Sequence, residues 1–154
     1  MTDTLYSEIL PRLWIGGTGD WDVIDIPKSL PRLDAPRQFD AVVTLYAHAH
    51  PMGWGVHEQR YGFPDADLDP TTIERVNDLA DWLYARWTSG ETVLARCQAG
   101  LNRSGLVVAL VLLRAGWAPE DAVELLRKQR SPHSLTNPDF HDYIVASRIS
   151  HSAA

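Results

Sequence analysis

From Ser104 to Gly116 the chain reads SGLVVALVLLRAG, a helical stretch that is apolar on nearly every side. Such a helix cannot lie on a surface and has to be enclosed by other elements. Gly116 suits its end. Just before it stands ETVLAR, short and apolar, which reads as a strand, and then the loop CQAGLNRS. Strand, glycine-bearing loop and buried helix form a unit of α/β layer architecture.

The rest of the chain repeats that alternation. LWIGG (Leu13 to Gly17) and FDAVVTLYA (Phe39 to Ala47) read as strands, the second rich in β-branched residues. RYGFP is expected to be a further short strand, leading into the acidic turn DADLDP. A helix follows in TTIERVNDLADWLYARWTSG, with Thr71 and Glu74 as a capping box. Ile73, Val76, Ala80, Leu83 and Trp87 share one of its faces, and Gly90 stops it. APEDAVELLRKQR, with Pro119 in its first turn, and PDFHDYIVASRIS are the last two helices. DIPKSLPRLDAPRQ (a short helix aside), HAHPMGWGVHEQ and SPHSLTN read as loops. A length of 154 residues points to a single domain spanning 1–154.

Composition excludes several function classes. The net charge of −6 gives no general reason to expect nucleic acid or an anionic membrane as partner. The longest apolar stretch, Leu106 to Leu113, is too short to span a bilayer. The opening MTDTLYSEIL has no basic region followed by an apolar run, so no signal peptide is expected. One cysteine allows no internal disulfide, and a cytoplasmic, monomeric protein is expected.

That cysteine, Cys97, stands where the strand ends. The loop after it can curl so that its backbone N–H groups point inward, and the buried helix adds its positive end. Gly100 permits a backbone conformation that a Cβ forbids. Arg103 adds a planar fork for two oxygens of an anion. Helix N-termini and nearby cations favour a thiolate, the nucleophilic form of cysteine. A thiolate at the floor of an anion cradle suits attack on phosphorus, with loop amides and Arg103 stabilising the equatorial oxygens. Ser104 is placed to hydrogen-bond the sulfur. Ester cleavage also needs a general acid. The turn YGFPDADLDP offers Asp65, Asp67 and Asp69 as a flap over the site, with Asp69 better suited to capping the next helix.

These residues resemble the cysteine-dependent protein tyrosine phosphatase superfamily, and within it the compact dual-specificity phosphatases. CQAGLNRSG matches the Cys-x5-Arg-Ser/Thr signature, FPD is similar to the acid loop, SEILPRLWIGG to the opening strands, and TNPDFHDYI to the closing helix. The resemblance implies a phosphotyrosine protein phosphatase II-like α/β fold: a central, mostly parallel sheet of four or five strands with helices on both faces. It implies two-step phosphomonoester hydrolysis with no metal or cofactor. Cys97 is then the nucleophile, Arg103 binds phosphate, Asp65 is the general acid, and Ser104 assists release of the sulfur. Gln98, Ala99, Gly100, Leu101 and Asn102 supply amides. Where the family usually has His before the cysteine, this chain has Arg96. Its charge either acts on Cys97 or points away and leaves the loop looser.

No Lys or Arg lies between Cys97 and Arg103. That favours a phosphorylated protein or peptide as substrate, at tyrosine first and serine or threonine second. A phosphoinositide substrate, a phosphate-binding module without turnover and a rhodanese-like sulfurtransferase are the alternatives; the last usually has a shorter loop. Trp54 either lines the pocket rim or folds back on the core. His48 and His50 lack a third ligand at a diagnostic spacing, so no metal is expected.

Overall fold

The computed structural model describes residues 5–18, 38–53 and 55–147. Its strands are β1 (Tyr6–Leu10), β2 (Leu13–Gly16), β3 (Ala41–Thr44), β4 (His57–Arg60) and β5 (Val93–Arg96). Its helices are α1 (Pro70–Thr88), α2 (Arg103–Arg114), α3 (Pro119–Gln129) and α4 (Pro138–Ala146). The sheet order is β1-β2-β5-β3-β4, with β1 antiparallel to β2 and every other pair parallel. This is the expected mostly parallel α/β sheet.

β5 is central. Leu13 and Ala41 flank Val93 on either side, and all four residues of β5 are buried. Alternation along the strand then assigns faces. Val93, Ala95 and Cys97 join the main core, which includes Ile15, Val43, Val76, Leu83 and Phe140. Leu94 joins a smaller cluster on the opposite face with Phe39 and Val42, against which Trp14 and Met52 pack. α2 packs against β2, β5 and all three other described helices, and every residue from Ser104 to Leu113 is buried. That enclosure is the reason its sequence is apolar all round.

Three local expectations are corrected. The edge strand is His57–Arg60, not RYGFP; it begins inside the stretch read as a loop. HEQR lacks apolar alternation because Glu58 and Arg60 turn into a polar network rather than a core. β3 is shorter than Phe39–Ala47, because pairing with β4 and β5 covers only Ala41–Thr44. α1 begins at Pro70 with Asp69 as its N-cap, so Thr71 is not the cap. Proline needs no N–H donor at the first helical position, and Asp69 Oδ1 accepts from Thr72 N at 2.7 Å. Gly90 and Gly116 follow their helices at φ 106° and 101°, as a left-handed stop requires. The stretch read as a loop with a short helix, residues 25–38, lies outside the described residues except for Gln38, as do Trp54 and the end of the last helix beyond Ser147.

The Asp69 cap gives a pH-dependent prediction. Hydrogen bonds from Thr72 to the carboxylate lower its pKa from the ordinary 3.8. A carboxyl group whose folded pKa is depressed contributes stability above the unfolded value and loses it as pH falls through the folded one. Asp69→Ala therefore lowers the melting temperature most near neutral pH, and the difference from wild type narrows below 3.8. Asp69→Asn keeps a capping oxygen without a titrating group, so its melting curve lacks that acid-dependent step. Thermal unfolding from pH 7 to about pH 3 measures both.

Candidate active site

Cys97 begins the loop that leaves the C-terminal end of β5, and it is 2% exposed. Its own N–H is tied to Gly16 O at 3.1 Å. The next four carbonyls are each caught from outside the loop. Gln98 O accepts from Thr18 N (3.0 Å), and Leu101 O from Leu135 N (3.2 Å). Ala99 O and Gly100 O accept from the guanidinium of Arg130 at 3.3 and 3.2 Å. In a trans peptide the C=O of one residue and the N–H of the next point in opposite directions. Carbonyls fastened outward therefore turn the N–H groups of residues 99–102 inward. One of them, Gly100 N–H, donates to Cys97 Sγ at 3.2 Å. Gly100 has φ 77°, and a Cβ there would lie 2.5 Å from Gly16 C and 2.7 Å from Gly17 N, so the curl needs glycine.

The helix behind the loop is left open toward the cradle. Asn102 occupies the N-cap of α2, yet its side chain makes no capping hydrogen bond. Its Nδ2 instead donates to Asp65 Oδ2 at 2.9 Å, and its Oδ1 accepts from Asn137 N at 3.1 Å. The first-turn amides of α2 thus keep their affinity for an anion. Ser104, fully buried in that turn, has its hydroxyl 3.3 Å from Cys97 Sγ.

Arg103 is held at one end, where Nη1 donates to Phe63 O at 2.9 Å. Its guanidinium carbon lies 5.8 Å from the ring centre of Tyr46. Its Nε is buried and has no hydrogen-bond partner among the described residues. A buried charged donor left unsatisfied is costly, and an oxyanion would relieve it.

The acid turn lies beside the same loop. Asp65 Oδ2 meets Asn102, and Oδ1 accepts from Asn137 Nδ2 at 2.7 Å. Asn137 also caps α4 through its Oδ1 and donates to Ala66 O, so one side chain joins the turn to the helix. An open groove of about 410 Å³ runs here between Asp65, Asp67, Asn102, Asn137 and Asp139. Asp69, spent on its cap, faces Thr72 instead.

Arg96 points away from Cys97, as adjacent strand residues must. It is 2% exposed, and its Nε donates to Thr44 Oγ1 at 3.0 Å. Its Nη2 donates to His50 O and pairs with Glu58 at 3.4 Å. The sequence singled out Cys97, Arg103, Ser104, Asp65 and the loop residues, and the fold gathers them. It did not single out Arg130 or Tyr46, which touch the loop and Arg103 from distant elements, nor Glu58, which pairs with Arg96. Asn137 was visible only within TNPDF. Among the described residues no cluster of three or more His, Cys, Asp or Glu could hold a metal ion, and no helix is long and apolar enough to cross a membrane.

The fold is that of solved dual-specificity phosphatase-like α/β structures, and part of the sequence is similar to a protein tyrosine phosphatase. Human DUSP28 superposes with TM-score 0.76 at 18% identity, over 96% of this chain and 98% of that one. PTPMT1 in complex with PI(5)P gives TM-score 0.72 at 21% identity, over 97% and 98%. In sequence, mouse protein tyrosine phosphatase type IVA 2 is 35% identical over 78 residues, 49% of this chain and 46% of the mouse protein. The match thus spans about half the length of the curated relative. No family model matches the chain.

Proposed function

We propose that this chain hydrolyses phosphomonoesters on proteins, phosphotyrosine first and phosphoserine or phosphothreonine second, through a phosphocysteine intermediate. The observation that carries the reading is the buried Arg103 Nε, unpartnered among the described residues, beside a loop whose carbonyls from Gln98 to Leu101 are fastened outward. In the first step the Cys97 thiolate attacks phosphorus and an S–P bond forms. The ester P–O bond breaks, and its electron pair leaves on the substrate oxygen, which takes a proton from Asp65. Inward amides and Arg103 carry the charge on the equatorial oxygens. In the second step Asp65 accepts a proton from water as its oxygen attacks phosphorus. The S–P bond breaks, and the hydroxyl of Ser104 hydrogen-bonds the departing sulfur.

The groove supports a peptide over a polyanionic headgroup. Asp65, Asp67 and Asp139 line it, and like charge disfavours further phosphates there. The likeness to PTPMT1 with PI(5)P makes a phosphoinositide the reading to beat.

A panel of phosphotyrosine peptide, phosphoserine/threonine peptide, PI(5)P and nucleotide tests this. Phosphate release should be fastest from the phosphotyrosine peptide, by about tenfold over PI(5)P, a difference of about 1.4 kcal/mol in transition-state binding. Faster release from PI(5)P overturns the protein substrate. Absence of Cys97-dependent release from every substrate leaves a phosphate-binding module.

A further inference from the structure

The residue before the cysteine has a use that lies on the other side of the sheet. Thr44, Glu58, Arg60 and Arg96 meet there in one polar network at the end of β3, β4 and β5. Glu58 Oε2 accepts from Thr44 Oγ1 at 2.5 Å and pairs with Arg60 at 3.3 Å and Arg96 at 3.4 Å. Its Oε1 accepts from Met52 N at 3.1 Å. The two arginines then reach along the segment after β3. Arg60 donates to Ala49 O at 2.6 Å, Ala47 O at 3.4 Å and Tyr46 O at 3.5 Å, and Arg96 donates to His50 O. The network therefore grips the main chain from Tyr46 to Met52 at five of its seven residues.

The near end of that segment carries Tyr46, whose ring faces the Arg103 guanidinium. Arg103 is thus set by two fixtures, Phe63 O at one nitrogen and the Tyr46 ring over its carbon. A buried ion pair adds little net stability against an apolar replacement, so its use is better sought in geometry.

We propose that Arg96, with Glu58 and Arg60, positions Arg103 for the anion through Tyr46. This rests on the phosphatase reading and deepens it. The charge that stands where the family has histidine works on the phosphate-binding arginine through a main-chain clamp. It does not work on the sulfur. Arg96, Glu58 and Tyr46 are positioning residues, and the Arg96 side chain lies on the face of the sheet opposite Cys97.

Arg96→Lys separates the two modes of action, because it keeps the charge and loses the planar fork that spans Thr44, His50 and Glu58. Inorganic phosphate binding, measured by calorimetry on the full chain, reads Arg103 placement without turnover. Arg96→Lys and Tyr46→Leu should each weaken phosphate by about fivefold, the range of one cation–π contact. Tyr46→Phe keeps the ring and should restore most of that loss. The double variant Arg96→Lys/Tyr46→Leu should be no weaker than the worse single one, since both act on one contact. The pH dependence of Cys97 alkylation by iodoacetamide should not move in Arg96→Gln, which removes the charge that Arg96→Lys keeps. Wild-type phosphate affinity in Arg96→Lys, or additive losses in the double variant, overturns the proposal. Should Arg96→Lys fail to fold, Glu58→Gln with Tyr46→Leu replaces it under the same criteria. If wild type neither binds phosphate nor hydrolyses an aryl phosphate, the phosphatase reading falls too. If it does both and the variants match it, only this inference falls.

Discussion

Cys97→Ser should abolish hydrolysis of an aryl phosphate, by about 10⁴-fold or more, while phosphate still binds. A serine hydroxyl is a weak nucleophile unless a base takes its proton, and the described hydrogen-bonding neighbours of Sγ are an amide N–H and a hydroxyl, neither of them a base of that strength. Gly100 N–H points at it from 3.2 Å, and the Ser104 hydroxyl lies 3.3 Å away. The cradle itself does not depend on sulfur. Its carbonyls are held by Thr18, Arg130 and Leu135, and its arginine by Phe63 O and Tyr46. Rate and affinity should therefore separate. Phosphate-release assays and calorimetry on the same preparation measure both. Residual turnover within tenfold of wild type would remove Cys97 from the role of nucleophile, and loss of phosphate binding would mean that the sulfur shapes the loop.

What the sequence made legible follows from how far each signal reaches along the chain. α2 announces itself because a helix buried on all sides must be apolar on all sides. Cys97, Gly100, Arg103 and Ser104 are legible because they act within one turn of loop and helix, so their spacing is their geometry. β4 is not legible because HEQR serves a network whose other members, Thr44 and Arg96, are distant in sequence. α1 starts early because Pro70 and Asp69 outcompete Thr71 as an opening, a local contest in which two start signals overlap. Arg130 carries no local mark at all. It ends α3, and its role exists only because that helix end is folded against Ala99 and Gly100. Arg96 stands out in the sequence as a departure from histidine, but its direction is a matter of strand parity and its partners are set by neighbouring strands.

Asp65→Asn should lower kcat on phenyl phosphate by about 10²- to 10³-fold and leave an ester with a strongly acidic leaving group nearly untouched. A phenolate leaves poorly without a proton, whereas a stable anion needs none. The choice of Asp65 among the three aspartates of the turn is geometric. Asp69 is committed to the α1 cap. Asp65 is clamped by two amides, Asn102 from the loop after Cys97 and Asn137 from the start of α4, so its position is tied to that of the loop. Each carboxylate oxygen receives one such donor and keeps a lone pair, as the proposed proton donor requires. Asparagine at position 65 has one oxygen and an NH₂, so it also turns a donor toward one of the two amides and loosens the turn. The activated ester controls for this, because it reports the cysteine and the cradle without the acid. If Asp67→Asn shows the leaving-group dependence and Asp65→Asn does not, the amide clamp holds the turn in place for its neighbour, and Asp67 is the proton donor.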